Sequence, residues 1–128
     1  MRCILDTHTL LWFLIGSPQL SAKARATIED TGNVKYVSIA SFWEISIKDT
    51  LGKLPLHKPY AELFPSCLDK NGFKLLPITF PHLHAHRTLP LIHGDPFDRM
   101  IIAQALAEDI PIIGRDPEFS AYGVMLLW

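Results

Sequence analysis

Two cysteines in 128 residues cannot make a disulfide framework, so the fold must rest on a hydrophobic core. Cys3 lies in an apolar run and Cys67 in a predicted helix; both read as buried, reduced thiols. Charge of one sign is also missing: 12 Lys+Arg against 13 Asp+Glu leave a net charge of -1 with neutral histidine. That excludes binding to nucleic acid by overall basicity, and any such contact must use local basic patches, a metal or a partner. No apolar run is long enough to span a bilayer. The apolar beginning, up to Ile15, is interrupted by Asp6 and His8, and no small-residue cleavage site follows. The expectation is a cytoplasmic protein without membrane association. Internal repeats, linkers and charge runs are absent too, so residues 1–128 are expected to be a single domain. What is present is apolar: 48% hydrophobic residues exclude a disordered segment, and this length can bury a core unaided.

Apolar runs and turn signals alternate along the chain. Cys3-Ile4-Leu5 predicts a short buried strand ending at Asp6. Helices are predicted over Thr9 to Ile15, stopped by Gly16-Ser17-Pro18, and over Ala22 to about Asp30, capped by Ser21. Lys35 to Ile39 predicts a second strand. Ser41 is expected to cap a helix running to about Leu51, and Pro59 to open one over Tyr60 to Lys70. Phe73 to Ile78 follows as a strand, then a short helix capped by Thr79 and a loop over Leu89 to Gly94. Asp95-Pro96 starts the clearest helix, Phe97 to about Glu108; Pro111-Ile112-Ile113 and Val124 to Leu127 are the last strands, with a helical turn opened by Asp116-Pro117 between them. Strands alternating with helices imply a parallel sheet covered on both faces.

Four acids stand out against this pattern. Asp6 and Asp116 each follow an apolar strand, and ligands collect at the carboxyl ends of strands in open α/β sheets. Glu44 is embedded in Phe42-Trp43-Glu44-Ile45, and Asp98 sits in the first turn of the Phe97 helix. Each also has a local explanation. Asp6 and Asp116 can cap the helices after them, Asp98 is favoured by a helix dipole, and Glu44 can pair with Lys48 on a wet face. Asp95, directly before Pro96, reads as a cap with at most a secondary role. Taken together, several ionised carboxylates need a cation, and oxygen-only ligands suit Mg²⁺ or Mn²⁺. Such an ion supports phosphodiester hydrolysis.

Leu5-Asp6-Thr7-His8, Trp43-Glu44-Ile45, the block from Asp95 to Ala105 and Gly114-Arg115-Asp116-Pro117-Glu118-Phe119 occur in this order. Together they resemble the PIN-domain family, and more narrowly the VapC-type toxins of bacterial type II toxin–antitoxin pairs. The Asp95 to Ala105 block is the most specific part. The resemblance implies a three-layer α/β/α sandwich around a mainly parallel sheet and a metal-dependent endoribonuclease acting on RNA. It further implies Asp6, Glu44, Asp98 and Asp116 as the acids that bind Mg²⁺ or Mn²⁺, a cognate antitoxin partner and a homodimer. Thr7 matches the hydroxyl residue that follows the first acid. Gly114 departs from the pattern, since many relatives carry Thr or Ser there. The competing expectation is a non-catalytic PIN-like module that only binds RNA or a protein.

Other residues carry weaker signals. Arg99 and Arg115 adjoin proposed ligands and can contact RNA phosphate or antitoxin, pair with the acids, or serve local structure. His8 reads as a solvent-facing residue at a helix start. His82, His84 and His86 read as a polar helix face, since no Cys, Asp or Glu lies beside them to complete a zinc site. Trp12, Phe13, Phe42 and Trp43 are expected in the core or at a dimer contact. The apolar surplus of the first helix points the same way.

Overall fold

The computed structural model describes residues 1–128. Five parallel strands, β1 (Arg2–Leu5), β2 (Val34–Ser38), β3 (Lys74–Leu76), β4 (Ile112–Ile113) and β5 (Leu126–Leu127), form one sheet in the order β3-β2-β1-β4-β5. The chain builds outward from β1 through β2 to β3, then returns to the other side of β1. The strand order therefore reverses between β1 and β4, where Leu5 pairs with Ile113. Crevices open at the carboxyl ends of strands at such a switch point.

β1 is covered on both faces. The pleat sends Cys3 and Leu5 to one side, into a core with Leu10, Ile28, Val37, Ile45 and Ile113. Ile4 points to the other side, toward Ile101, Ile102, Ile112 and Phe119. Helices α1 (Thr7–Ile15), α2 (Ala22–Glu29), α3 (Ile39–Thr50), α4 (Tyr60–Leu63) and α5 (Ser66–Asn71) supply the first layer, while α6 (Phe80–Arg87), α7 (Pro96–Glu108) and α8 (Pro117–Ser120) supply the second. The result is the expected α/β/α arrangement. No helix is long and apolar enough to cross a membrane. Both cysteines are free and buried, as expected.

Three local expectations need correction. Ser41 does not cap α3; Ser38 does, its hydroxyl accepting from the Ala40 N–H at 3.0 Å. β2 turns directly into the helix there, and the β-branched Ile39 had the look of strand. The single helix over Tyr60 to Lys70 is two helices, because Phe64 takes extended backbone (φ -127, ψ 134) before Pro65. A residue preceding proline is disfavoured in the helical region. His82 is not on a polar face: it is buried beside Gln104 of α7, its Nδ1 accepting from the Thr79 N–H at 3.0 Å. His84 is exposed, and the three histidines form no metal-ligating group.

Candidate active site

Three aspartates, Asp6, Asp95 and Asp116, cap helices that start after a strand or a loop. Asp6 leaves β1 with extended backbone, and its Oδ1 accepts from the Thr7 N–H at 2.7 Å. Asp116 lies three residues beyond the end of β4 and accepts from the Glu118 N–H at 3.0 Å. Asp95 Oδ1 accepts from the N–H groups of Phe97 (2.8 Å) and Asp98 (2.9 Å), which fixes the first turn of α7 and thereby aims Asp98 toward Asp6 and Asp116. Glu44 arrives from α3, which rises from the end of β2. Asp6, Asp98 and Asp116 line an open cleft of about 410 Å³ together with His8, Trp12, Arg115 and Pro117.

The site is electrostatically loaded. The Asp98 carboxyl is pushed up to about 8, first by burial and then by the charges of Asp6, Asp95, Glu44 and Asp116. Asp6 is raised to about 6, chiefly by burial, with Glu44 and Asp116 adding and His8 and the Thr7 N–H opposing. Glu44 is the deepest of the four, its side chain only 3% exposed. Its Oε2 takes a 2.6 Å bond from Lys48 Nζ, so the anticipated i,i+4 pair exists, but on a buried carboxylate rather than a wet face. Its Oε1 is buried without a partner. A buried charged oxygen left unpaired is costly. A hard divalent cation satisfies such an oxygen, and the all-carboxylate donor set suits one.

His93, which the sequence showed only as part of a loop, enters this cluster. Its Nε2 lies 3.1 Å from Asp98 Oδ2, 3.4 Å from Asp116 Oδ2 and 3.5 Å from Glu118 Oε2. His93, Asp98 and Asp116 are close enough to share a metal, with ligand atoms within 4.8 Å of one another. Its closeness in sequence to Asp95 and the start of α7 was the one available signal; the approach of Asp116 and Glu118 is made only by the fold.

The remaining candidates divide. The Thr7 hydroxyl is turned away from the acids to Ser41 Oγ, 2.8 Å away. Arg99 does not face the cleft: it is buried, and its guanidinium donates to the carbonyls of Leu89 and Pro90 and to the Tyr122 hydroxyl. Its role is the local one. Arg115 lines the cleft, yet its only side-chain hydrogen bond goes to Gln19 Oε1 at 2.9 Å, with its guanidinium 4.5 Å over the Trp12 ring. Trp12 therefore stands at the rim of the cleft, partly buried. Phe13 meets Phe73, and Phe42 meets Phe64, inside the first layer. Trp43 is 60% exposed against Phe97. His8 is exposed, as expected, though on the cleft. Gly114 is close-packed: a Cβ there would stand 3.2 Å from Asp6 Cβ and 3.5 Å from Asp6 Oδ2.

The family model described as PIN domain matches residues 3–124. The chain belongs to the PIN domain family. This PIN domain is 40% identical over 75 residues to Ribonuclease VapC16 of Mycobacterium tuberculosis (strain ATCC 25618 / H37Rv), covering 55% of this chain and 52% of that protein. The matched stretch thus spans about half the length of that relative. Among solved structures, the PIN domain is similar to VapBC2 from Rickettsia felis bound to a DNA fragment from their promoter, with TM-score 0.73, 15% identity and coverage of 98% of this chain and 97% of that one. FitAcB from Neisseria gonorrhoeae gives TM-score 0.66 at 19% identity, covering 97% of this chain and 95% of that one. At these identities the likeness establishes the shared fold.

Proposed function

We propose that this PIN domain is a metal-dependent endoribonuclease, the toxin of a type II toxin–antitoxin pair, with Asp6, Glu44, Asp98 and Asp116 as its metal-binding and catalytic residues. The observation that carries this reading is the unpartnered, buried Oε1 of Glu44, a carboxylate whose charge helps raise Asp6 and Asp98. The similarity to a protein named Ribonuclease VapC16 supports the same reaction. Structures named VapBC and FitAcB support a cognate antitoxin as partner, as does the resemblance to VapC toxins, which extends the proposal to a homodimer.

Asp6, Glu44 and Asp98 would hold one divalent cation, Mg²⁺ or Mn²⁺, and Asp116 would hold a second ion or the attacking water. When bound, the cation supplies water activation and charge stabilisation for phosphodiester hydrolysis. The chain's own groups do the rest. Burial at the end of β1 fixes Asp6 rigidly. Asp116, with its side chain 35% exposed, faces incoming solvent. Arg115 is held flat on Trp12 and makes no ion pair with the acids, so its remaining N–H groups are free for an RNA phosphate entering the cleft.

The test is cleavage of total RNA in Mg²⁺, Mn²⁺ or EDTA by the native protein and by Asp6→Asn. Cleavage that needs the metal and falls on the order of a hundred-fold in a folded Asp6→Asn protein is the expected result. Metal-dependent cleavage that persists unchanged in that variant defeats the assignment.

A further inference from the structure

A net charge of -1 gives RNA no general attraction to this surface, so a bound strand must be held by local cations. Two such cations lie on a course of hollows that begins at the acids. His8 and Trp12 line the acid cleft, and both also line a second, apolar groove of about 150 Å³ between α1 and the segment from Leu54 to His57. That groove shares Leu14, His57 and Leu63 with a third hollow of about 380 Å³, which carries Lys58 and Lys70. Shared walls make the three hollows one track, and α1 borders it throughout. The nine residues of α1 cover about 14 Å. Nucleotides stacked as in one strand of a duplex advance about 3.4 Å each, so the track accommodates several of them.

The chemistry changes along this track. At the far end Lys58 and Lys70 are exposed and neither is held in an ion pair, whereas Arg2, Arg25 and Lys48 all are. Glu62 is the one acid lining that end. Free ammonium groups suit phosphate oxygens. The middle groove is different: Leu11, Leu14, Leu54 and Leu56 surround the partly buried Trp12. It is too small for a drug-sized ligand but not for one flat ring system. An indole in such a wall gives an unpaired base a surface to stack against. At the near end are the acids, with Arg115 lying 4.5 Å over the same indole. An apolar protein segment matches the middle groove alone. A chain that alternates phosphates with flat bases matches the lysines, the groove and the proposed metal cleft together. We propose that the RNA strand runs from the acid cleft over Trp12 and along α1 to Lys58 and Lys70, with an unpaired base in the groove against Trp12 and phosphates on the two lysines.

This track rests on the endoribonuclease reading above, but it is measured without turnover. Fluorescence anisotropy of a labelled random-sequence single-stranded RNA in EDTA, at several salt concentrations, compares the native protein with Lys58→Ala/Lys70→Ala, Trp12→Ala and Trp12→Phe. The melting temperature of each protein is recorded beside it. The lysine pair should flatten the plot of log affinity against log salt by about 1.4, since each phosphate contact on a single strand contributes roughly 0.7, and should weaken binding roughly ten- to a hundred-fold at low salt. Trp12→Ala should weaken binding roughly five- to a hundred-fold, and Trp12→Phe should recover most of the loss. Unchanged affinity and slope in the lysine pair overturn the track and leave the groove to a protein partner. A Trp12→Ala protein that melts lower yet binds RNA as the native does makes Trp12 structural and overturns its role. Equal affinity for an RNA duplex removes the unpaired base. Failure of the native protein to bind RNA in EDTA overturns the track whatever its cleavage activity. Lysine-dependent binding without metal-dependent cleavage of any RNA removes the nuclease reading and keeps the track.

Discussion

The hydroxyls of Thr7 and Ser41 lie 2.8 Å apart, both buried, and join the first residue of α1 to the first turn of α3. Thr7 follows Asp6, and Ser41 precedes Glu44 by three residues on the same helix. One hydrogen bond therefore ties together the two most buried acids. Thr7→Val leaves the Ser41 hydroxyl unsatisfied and should cost about 1–3 kcal/mol in unfolding experiments. Thr7→Val with Ser41→Ala should cost less than the sum of the single changes, since neither partner is then left alone.

Removing Lys48 tests how the metal-free protein tolerates Glu44. Lys48→Met takes away the sole hydrogen-bond partner of a buried carboxylate, and because the lysine is itself 38% exposed the expected loss is roughly 1–3 kcal/mol in EDTA. Thermal melting in EDTA and in millimolar Mn²⁺ should show the loss shrinking once a cation balances the same carboxylate. RNA cleavage at saturating Mn²⁺ should change little.

The pH dependence of stability follows from the raised carboxyls. In the unfolded chain Asp6 and Asp98 titrate near 3.8, whereas in the fold they titrate at about 6 and about 8. Between those limits the folded protein holds more protons than the unfolded one, so raising the pH favours unfolding. In EDTA these two groups make the melting temperature fall from about pH 4 to about pH 8. The contribution of Asp6 ends near pH 6. Asp6→Asn should flatten the lower part of that slope directly, ease the upper part by removing a charge that helps raise Asp98, and melt higher than the native protein at pH 7. A native profile parallel to that of Asp6→Asn would show that Asp6 is not held above its ordinary range.

Arg115→Ala should leave the fold intact, since the guanidinium is exposed and its only hydrogen bond is to Gln19. Loss of one charged phosphate contact should raise KM for RNA roughly tenfold with little change in kcat. Gln19→Ala should give a smaller effect in the same direction by freeing the guanidinium to move. An unchanged KM in Arg115→Ala places the RNA backbone elsewhere.

Most of the architecture was legible because its signals are local. Ser21, Asp95-Pro96 and Asp116-Pro117 each satisfy backbone donors within three residues, so their helices can be read from a short window. The four acids stood out for a related reason, since a carboxylate placed after or within an apolar run has few explanations. What was not legible depends on distant chain. The choice of Ser38 over Ser41 depended on how far β2 stays paired with β1 and β3. The burial of His82 depended on α7 covering α6, and the place of His93 on Arg99 and Tyr122. Pro65 is different: its effect on Phe64 is local and was open to reading.

Glu44 differs from Asp6 and Asp116 in what it does when chemistry is set aside. The two aspartates close helix ends and would be retained by selection for folding alone. Glu44 caps nothing and leaves an oxygen without a partner in the interior, a cost that the proposed metal site would offset. In a lineage that abandoned catalysis, drift would replace this glutamate early, while the aspartates lingered as relics of architecture. With the proposed metal site as premise, the residue at position 44 is thus a better marker of a working enzyme than the more conspicuous acids at positions 6 and 116.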